Sequence, residues 1–231
     1  MAPRGDKMIP NRLEAGIVPN DHVLSAMRIV FWDFDGVIKD SVAVKTVGFE
    51  QLFLPYGQEV ADRVRQHHEA HGGVSRYKKM PIYLEWAGET ATAANIQHFC
   101  DRFSSLVQQA VIDAAWVPGV REYLLARHAS QYFVLVTATP QQEIEQILRA
   151  LEIAHCFREV YGAPTPKTEA ISRVLQHLKC PSGQALMIGD SETDLEAADA
   201  NGVSFLLRRT GLNRSLQARY SGPTFDKLNH E

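Results

Sequence analysis

Apolar residues along this chain fall into two kinds of pattern. Short, near-continuous apolar runs occur at 29–32, 132–136, 159–161 and 185–188, with a fifth, VSFLLRR, at 203–209. Continuous runs, as opposed to alternation, predict strands of a parallel sheet covered on both faces. Between the runs, apolar positions recur at helical spacing. Ile144, Ile147, Leu148 and Leu151 share one face, with Thr139 placed to cap that helix and Pro140 in its first turn. Ile171, Val174, Leu175 and Leu178 repeat the spacing after the third run. SETDLEAADANG follows the fourth and is closed by Asn201 and Gly202, a helix stop. Strand alternating with helix implies a parallel sheet with right-handed crossovers.

Residues from about 40 to 117 break that rhythm, with helical periodicity and no strand signal. Phe49, Leu52, Phe53 and Tyr56 share a face, as do Ile96, Phe99, Phe103 and Val107. The expected organisation is an extension over 1–27, an α/β core from 28–40 and 117–231, and a helical insert over 41–116, with WVPGV (116–120) as its return point. Trp32 is expected to pack against core helices, and Trp86 and Trp116 inside the insert.

Composition adds limits. A length of 231 residues suits one α/β domain with a smaller insert. A hydrophobic fraction of 45% and a charged fraction of 22% are those of an ordinary soluble domain. The formal net charge of −3 gives no reason to expect nucleic acid or an anionic membrane as partner, and no run is long enough to span a bilayer. The first 22 residues hold no continuous apolar stretch of the kind a signal peptide needs. Cys100, Cys156 and Cys180 are widely spaced and odd in number. They fit neither a metal knuckle nor a disulfide framework, and match a reducing, cytoplasmic location. The nine histidines show no HExxH spacing, so no zinc site is expected.

The chemistry lies where the runs stop. Asp33 ends the first, in FWDFDGVIKDS; Thr137 ends the second; Lys167 opens the helix after the third; Asp190 follows the fourth, in MIGDSETD. In an open parallel sheet, ligands bind beyond the carboxyl ends of the strands. One aspartate there is more often a turn former, but four polar residues at the same end of four strands mark a site. A carboxylate nucleophile such as Asp33 can attack phosphorus. Asp33 and Asp190 suit Mg²⁺, a hard ion that takes oxygen ligands. Lys167 would neutralise shifting phosphoryl charge, and its place in a helix first turn opposes the helix dipole. Thr137 can donate to a phosphoryl oxygen beside backbone N–H groups of the turns, Asp35 can serve as general acid and base, and Gly36 lets the chain turn tightly.

DFDGVIKDS, Thr137, Lys167 and GDSETD in that order resemble the four-motif signature of the haloacid dehalogenase-like superfamily, over about residues 29 to 210. The resemblance, strongest to its phosphoglycolate phosphatase and β-phosphoglucomutase branch, implies a Rossmann-like parallel sheet flanked by helices with a small all-helical cap domain. It further implies Asp33 as nucleophile, Asp35 as general acid/base, and Mg²⁺ held by Asp33, Asp190 and the Asp35 carbonyl. Asp194 is placed in the metal group, holding a metal water or Lys167. Dehalogenases of the superfamily lack a carboxylate at the Asp35 position, which leaves phosphatases and sugar-phosphate mutases.

In the cap, HEAHGGVSRYKK (68–79) is the most informative stretch, and GGVSR within it resembles the cap loop of β-phosphoglucomutase and related phosphatases. Arg76 is the candidate for the substrate's distal anion, since a guanidinium suits phosphate or carboxylate. Gly36, Thr137, Ala138 and Arg76 form the expected substrate-binding set. His67, His68, His71, Lys78 and Lys79 read as a solvated basic helix end; Ser41 and Lys45 follow the first motif and either face the cap interface or serve as a helix cap and a solvated lysine. Gly72 and Gly73 should end one helix and Ser75 cap the next, and Pro81 should kink or restart that helix. The expected function is a Mg²⁺-dependent phosphatase acting on a small phosphorylated metabolite, a sugar phosphate or phosphoglycolate-like acid, as a monomer or weak homodimer. The alternatives are a phosphosugar mutase and a non-catalytic metabolite-binding module.

Overall fold

The first apolar run forms strand β1 (Ile29–Trp32), all four side chains buried. Successive strand residues point to opposite faces. Val30 and Trp32 enter one apolar core, and Ile29 and Phe31 enter another on the far side of the sheet. That double burial is why the run is continuous rather than alternating. The computed structural model describes residue 24 and residues 26–228. Most of the expected extension over 1–27 lies outside the described residues.

Five more strands complete the sheet: β2 (Tyr132–Pro140), β3 (Glu159–Ala163), β4 (Ala185–Gly189), β5 (Ser204–Arg208) and β6 (Thr224–Phe225). All pairings are parallel, in the order β3-β2-β1-β4-β5-β6. β6 has no signal in the sequence because two residues make no apolar run. Main-chain bonds from Leu207 to Pro223 and from Arg209 to Phe225 hold it.

Between β1 and β2 the chain is helical: α1 (Val42–Phe53), α2 (Gln58–Ala70), α3 (Arg76–Trp86) and α4 (Ala93–Asp113). Their core is aromatic. Phe49 stacks on Phe103 at 3.9 Å and Phe53 on Phe99 at 5.6 Å, with the Tyr83 ring edge-on to Phe49 and Phe53. Ser75 caps α3, its Oγ accepting from the Tyr77 N–H. Pro81 neither ends nor restarts α3, which runs through it. A proline removes one intrahelical bond, and the buried Met80, Tyr83 and Leu84 around it keep the helix packed. The insert leaves and returns through adjacent segments, with Asp40 N–H bonded to Ala115 O and Val117 N–H to Ile38 O. Trp116 sits at this crossing, under the Lys39 ammonium at 4.5 Å, and not inside the insert core.

The remaining helices are α5 (Val120–Arg127), α6 (Gln141–Ala150), α7 (Lys167–His177), α8 (Glu192–Asn201) and α9 (Arg214–Arg219). Apolar residues of α5 and α6 pack on the Trp32 face, and those of α7 and α8 on the Phe31 face. Trp32 meets Tyr123 of α5 at 5.9 Å, as expected. Pro140, not Thr139, occupies the N-cap of α6, and Thr139 stays in β2. Its hydroxyl is used elsewhere, as described below.

Gly48 lets α1 approach α4, since a Cβ there would overlap Val107 Cγ1. On an open helix, Gly→Ala gains up to about 1 kcal/mol. Here the sign should reverse. Gly48→Ala is expected to lower the unfolding free energy by about 1–3 kcal/mol through overpacking, read from urea denaturation midpoints.

Candidate active site

Strand order reverses direction between β1 and β4, the switch point at which a parallel sheet opens a crevice beyond its carboxyl ends. The register Trp32↔Ile188 and the bond from Asp33 N–H to Ile188 O at 2.9 Å set Asp33 and Asp190 side by side at that crevice. Gly36 makes the approach possible. It adopts φ +76°, and a Cβ there would overlap Asp190 Oδ2.

Three carboxylates meet here. Oxygens of Asp33, Asp190 and Asp194 lie within 4.8 Å of one another. Lys167, first residue of α7, stands 3.0 Å from Asp33 Oδ2 and 2.5 Å from Asp194 Oδ1. Asp194 Oδ2 accepts from Ser191 N–H and Ser191 Oγ, a capping box on α8. Both Asp194 oxygens are thus committed to Lys167 and Ser191, the arrangement of a residue that holds the lysine. Asp33 also accepts from the Phe34 N–H at 2.7 Å. The Asp190 carboxylate has no hydrogen-bond donor or cation at bonding distance among the described residues.

The charges do not balance. Burial, then Asp194, raise the Asp33 carboxyl to about 7 against the pull of Lys167. Burial, Asp33 and Asp194 raise Asp190 well above the ordinary carboxylate value. Burial opposes the Lys167 charge, but Asp194 and Asp33 outweigh it and the ammonium is held more firmly than usual. One lysine among three buried carboxylates leaves a deficit of positive charge, and Asp190 is the carboxylate left without a donor or cation among the described residues. That donor set fits a hard divalent cation.

Asp35 lies in a second group. Its Oδ1 accepts from Ser41 Oγ at 2.6 Å, and its Oδ2 accepts from Thr139 Oγ1 at 3.2 Å and pairs with Lys45 Nζ. Lys45 also reaches Thr139 Oγ1 at 2.7 Å. Burial pushes the Asp35 carboxyl up, yet Lys45, Ser41 and Thr139 outweigh it and hold it below its ordinary value. Ser41 makes no side-chain bond to cap α1, and Lys45 is not solvated. The usable signal was their spacing: four residues apart, they share a helix face just after the first motif. Thr139 carried none, because a threonine before Gln141 reads as a cap.

A cavity of about 230 Å³ opens above these groups, lined from the core by Asp33, Asp35, Thr137, Ala138 and Asp190. The helical insert roofs it. Arg76 reaches its edge, but its guanidinium forms two 2.8 Å bonds with Glu143 of α6, and Ser104 Oγ also donates to Glu143 at 2.5 Å. Arg76 therefore joins the insert to the core in this structure instead of presenting a free guanidinium. Lys78 is exposed as expected, whereas Lys79 and His68 are buried and line the cavity.

Residues 30–207 match the family model of the haloacid dehalogenase-like hydrolases. The chain is similar to phosphoglycolate phosphatase of Pseudomonas fluorescens, 24% identical over 192 residues, covering 80% of this chain and 71% of that protein. It is also similar to phosphoglycolate phosphatase 1 of Pseudomonas aeruginosa, 27% identical over 208 residues, covering 85% and 75%. Among solved structures, β-phosphoglucomutase of Clostridium difficile superposes with a TM-score of 0.67 at 17% identity, over 88% of this chain and 92% of that one.

Lys45→Met would strand a buried Asp35 carboxylate. At pH 7 the expected cost is about 3 kcal/mol, the lower end for breaking a buried pair, since both side chains keep some exposure. Above the unfolded-state carboxylate pKa the wild-type pair contributes its full stability, and that contribution is lost as pH falls through the depressed folded value. The deficit of the variant should therefore shrink between pH 7 and pH 3. Urea unfolding across that range, without added metal, checks the sign.

Proposed function

The chain belongs to the haloacid dehalogenase-like hydrolase family, and from that membership we propose that it is a phosphatase of small phosphorylated metabolites. The observation that carries this reading is the pairing of Asp33, set between Lys167 and Asp190, with a second carboxylate two residues on, Asp35, held by its own ion pair. The pair supplies a nucleophile and a proton carrier on the floor of one cavity. The names of the Pseudomonas relatives support the same reaction class.

Asp33, Asp190 and the Asp35 carbonyl would hold Mg²⁺. Bound there, it supplies the positive charge that lets an anionic ester approach an anionic nucleophile. Asp33 attacks phosphorus, its Oδ–P bond forming as the ester P–O bond breaks, and Asp35 gives a proton to the departing alkoxide. Water then attacks the aspartyl-phosphate while Asp35 takes its proton, which releases phosphate and restores Asp33. Lys167 neutralises phosphoryl charge through both steps, with Asp194 fixing its position, and Thr137 and the N–H groups near Ala138 and Gly36 bind the phosphoryl oxygens.

The Asp35 ion pair imposes an order. With Lys45 beside it, Asp35 is ionised, the state that accepts a proton from water. To act first as an acid it must take up a proton from solvent or from the entering ester, which separation from the Lys45 ammonium would favour. The cavity volume favours hydrolysis over the mutase alternative. At about 230 Å³ it lies below the range of about 300–1,000 Å³ that holds larger ligands, and a sugar bisphosphate intermediate would need more room than a two- or three-carbon ester.

Phosphate release should be measured on phosphoglycolate, sugar phosphates and nucleotides, with Mg²⁺ or with EDTA. Wild-type release should require Mg²⁺, and Asp33→Asn should show none above background. Asp35→Asn should lose about 10²–10⁴-fold in kcat, the usual contribution of a positioned acid/base. Isomer conversion without net phosphate release would instead establish a mutase. Independently of turnover, Mg²⁺ should raise the melting temperature of the wild type and not that of Asp190→Asn.

A further inference from the structure

Most charged groups that line the cavity have an opposite charge beside them. Asp33, Asp35 and Arg76 pair with Lys167, Lys45 and Glu143. Toward the rim, Glu69 and Glu192 pair with Arg65 and Arg219. Among the described residues two are left over. One is Asp190 on the core side, the group that suits a metal. The other is Lys79 on α3, in the roof.

Lys79 is 2% exposed. Its ammonium makes one side-chain contact, 3.0 Å to His68 Nδ1, and no ion pair among the described residues. His68 is 8% exposed and packs its ring against Phe49 at 4.7 Å. Burial and then Lys79 lower the imidazole pKa to about 2, so it stays neutral and offers a lone pair rather than a charge. Burial, reinforced by Lys45, lowers Lys79 to about 7. A buried lysine held by a neutral imidazole is costly to the fold, and methionine would fill the same space without that cost. An arrangement that costs stability without contributing packing is expected where a ligand restores the balance.

We propose that Lys79, oriented by His68, is the site for the far-end anion of the substrate, so that the enzyme selects small phosphomonoesters with a carboxylate or second phosphate at the opposite end. This rests on the phosphatase reading for the near end and deepens it. The phosphoryl group lies on the core floor at Asp33, and the second anion meets Lys79, the one lysine lining the cavity that has no ion pair among the described residues. Arg76 cannot serve unless it leaves Glu143, whereas Lys79 has no carboxylate to leave. The shared chemistry is a compact anion that accepts a charge-assisted hydrogen bond.

The test separates binding from turnover. Asp33→Asn protein, with Mg²⁺, is titrated calorimetrically with two matched pairs: phosphoglycolate against 2-hydroxyethyl phosphate, and propane-1,3-diol bisphosphate against 3-hydroxypropyl phosphate. The first pair reports a distal carboxylate and the second a distal phosphate. At least one anion-bearing member should bind about 10- to 100-fold more tightly, the range for a hydrogen bond to a charged group. Adding Lys79→Met should remove that preference without lowering the melting temperature. Lys79→Gln should do the same if the Met variant does not fold. A preference that survives both changes, no preference in either pair, or a lost preference accompanied by a large fall in melting temperature overturns the proposal. Wild-type phosphate release is followed in parallel. A Lys79-dependent preference with no release on any substrate would leave this site standing and remove the phosphatase reading. Release that ignores Lys79 would do the reverse.

Discussion

The structure is organised around a local excess of buried negative charge. Asp33, Asp190 and Asp194 stand together at the carboxyl ends of β1 and β4, with one lysine that bonds Asp33 and Asp194 and leaves Asp190 without a partner among the described residues. Isolated, each carboxylate would be expensive to bury. The surroundings answer that expense in three ways. Lys167 sits in a helix first turn, where the macrodipole disfavours it, because two carboxylates hold it there. Ser191 turns both its N–H and its hydroxyl on Asp194. Gly36 gives up a side chain so that Asp190 can come close. What remains unsatisfied is the part of the charge a metal would take.

The same accounting extends into the roof. The helical insert faces this anionic floor with Arg76, Lys79 and His68, but the cations are not equivalent. Arg76 is spent on Glu143 and Ser104, a contact between insert and core, while Lys79 has only a neutral neighbour. Position along a motif and availability to a ligand are therefore different properties. A guanidinium at the expected place can be structural, and an unremarked lysine one helical turn away can be the group left free.

The core of the fold was legible because its physics is local. Buried parallel strands write themselves as continuous apolar runs; Asp33, Thr137 and Asp190 stand out where those runs stop, and Lys167 at the helix start after the third. What was not legible depended on contacts between segments far apart in the chain. Lys45 reads as a solvated lysine until Thr139, 94 residues on, is brought to it. Lys79 and His68 lie in a stretch so rich in basic residues that solvation is the natural expectation, and only the aromatic packing of the insert buries them. Glu143 has the sequence environment of a first-turn acid, favourable at any helix start, so nothing marked it as the partner of Arg76. Pro81 shows the converse: the local rule allows a restart, but the helix runs on through it among buried neighbours.

The contact between Arg76 and Glu143 bears on tempo. It is bidentate and buried, with a third bond from Ser104, and it ties a helix of the roof to a helix of the floor. Any movement of the roof away from the floor at this point would part that guanidinium from that carboxylate and wet both. A step of that kind would involve neither the scissile bond nor its nucleophile. It would be sensitive to ionic strength and largely indifferent to which alcohol leaves. Turnover numbers across a series of good substrates would in that case converge on a single ceiling, the frequency at which the roof lifts.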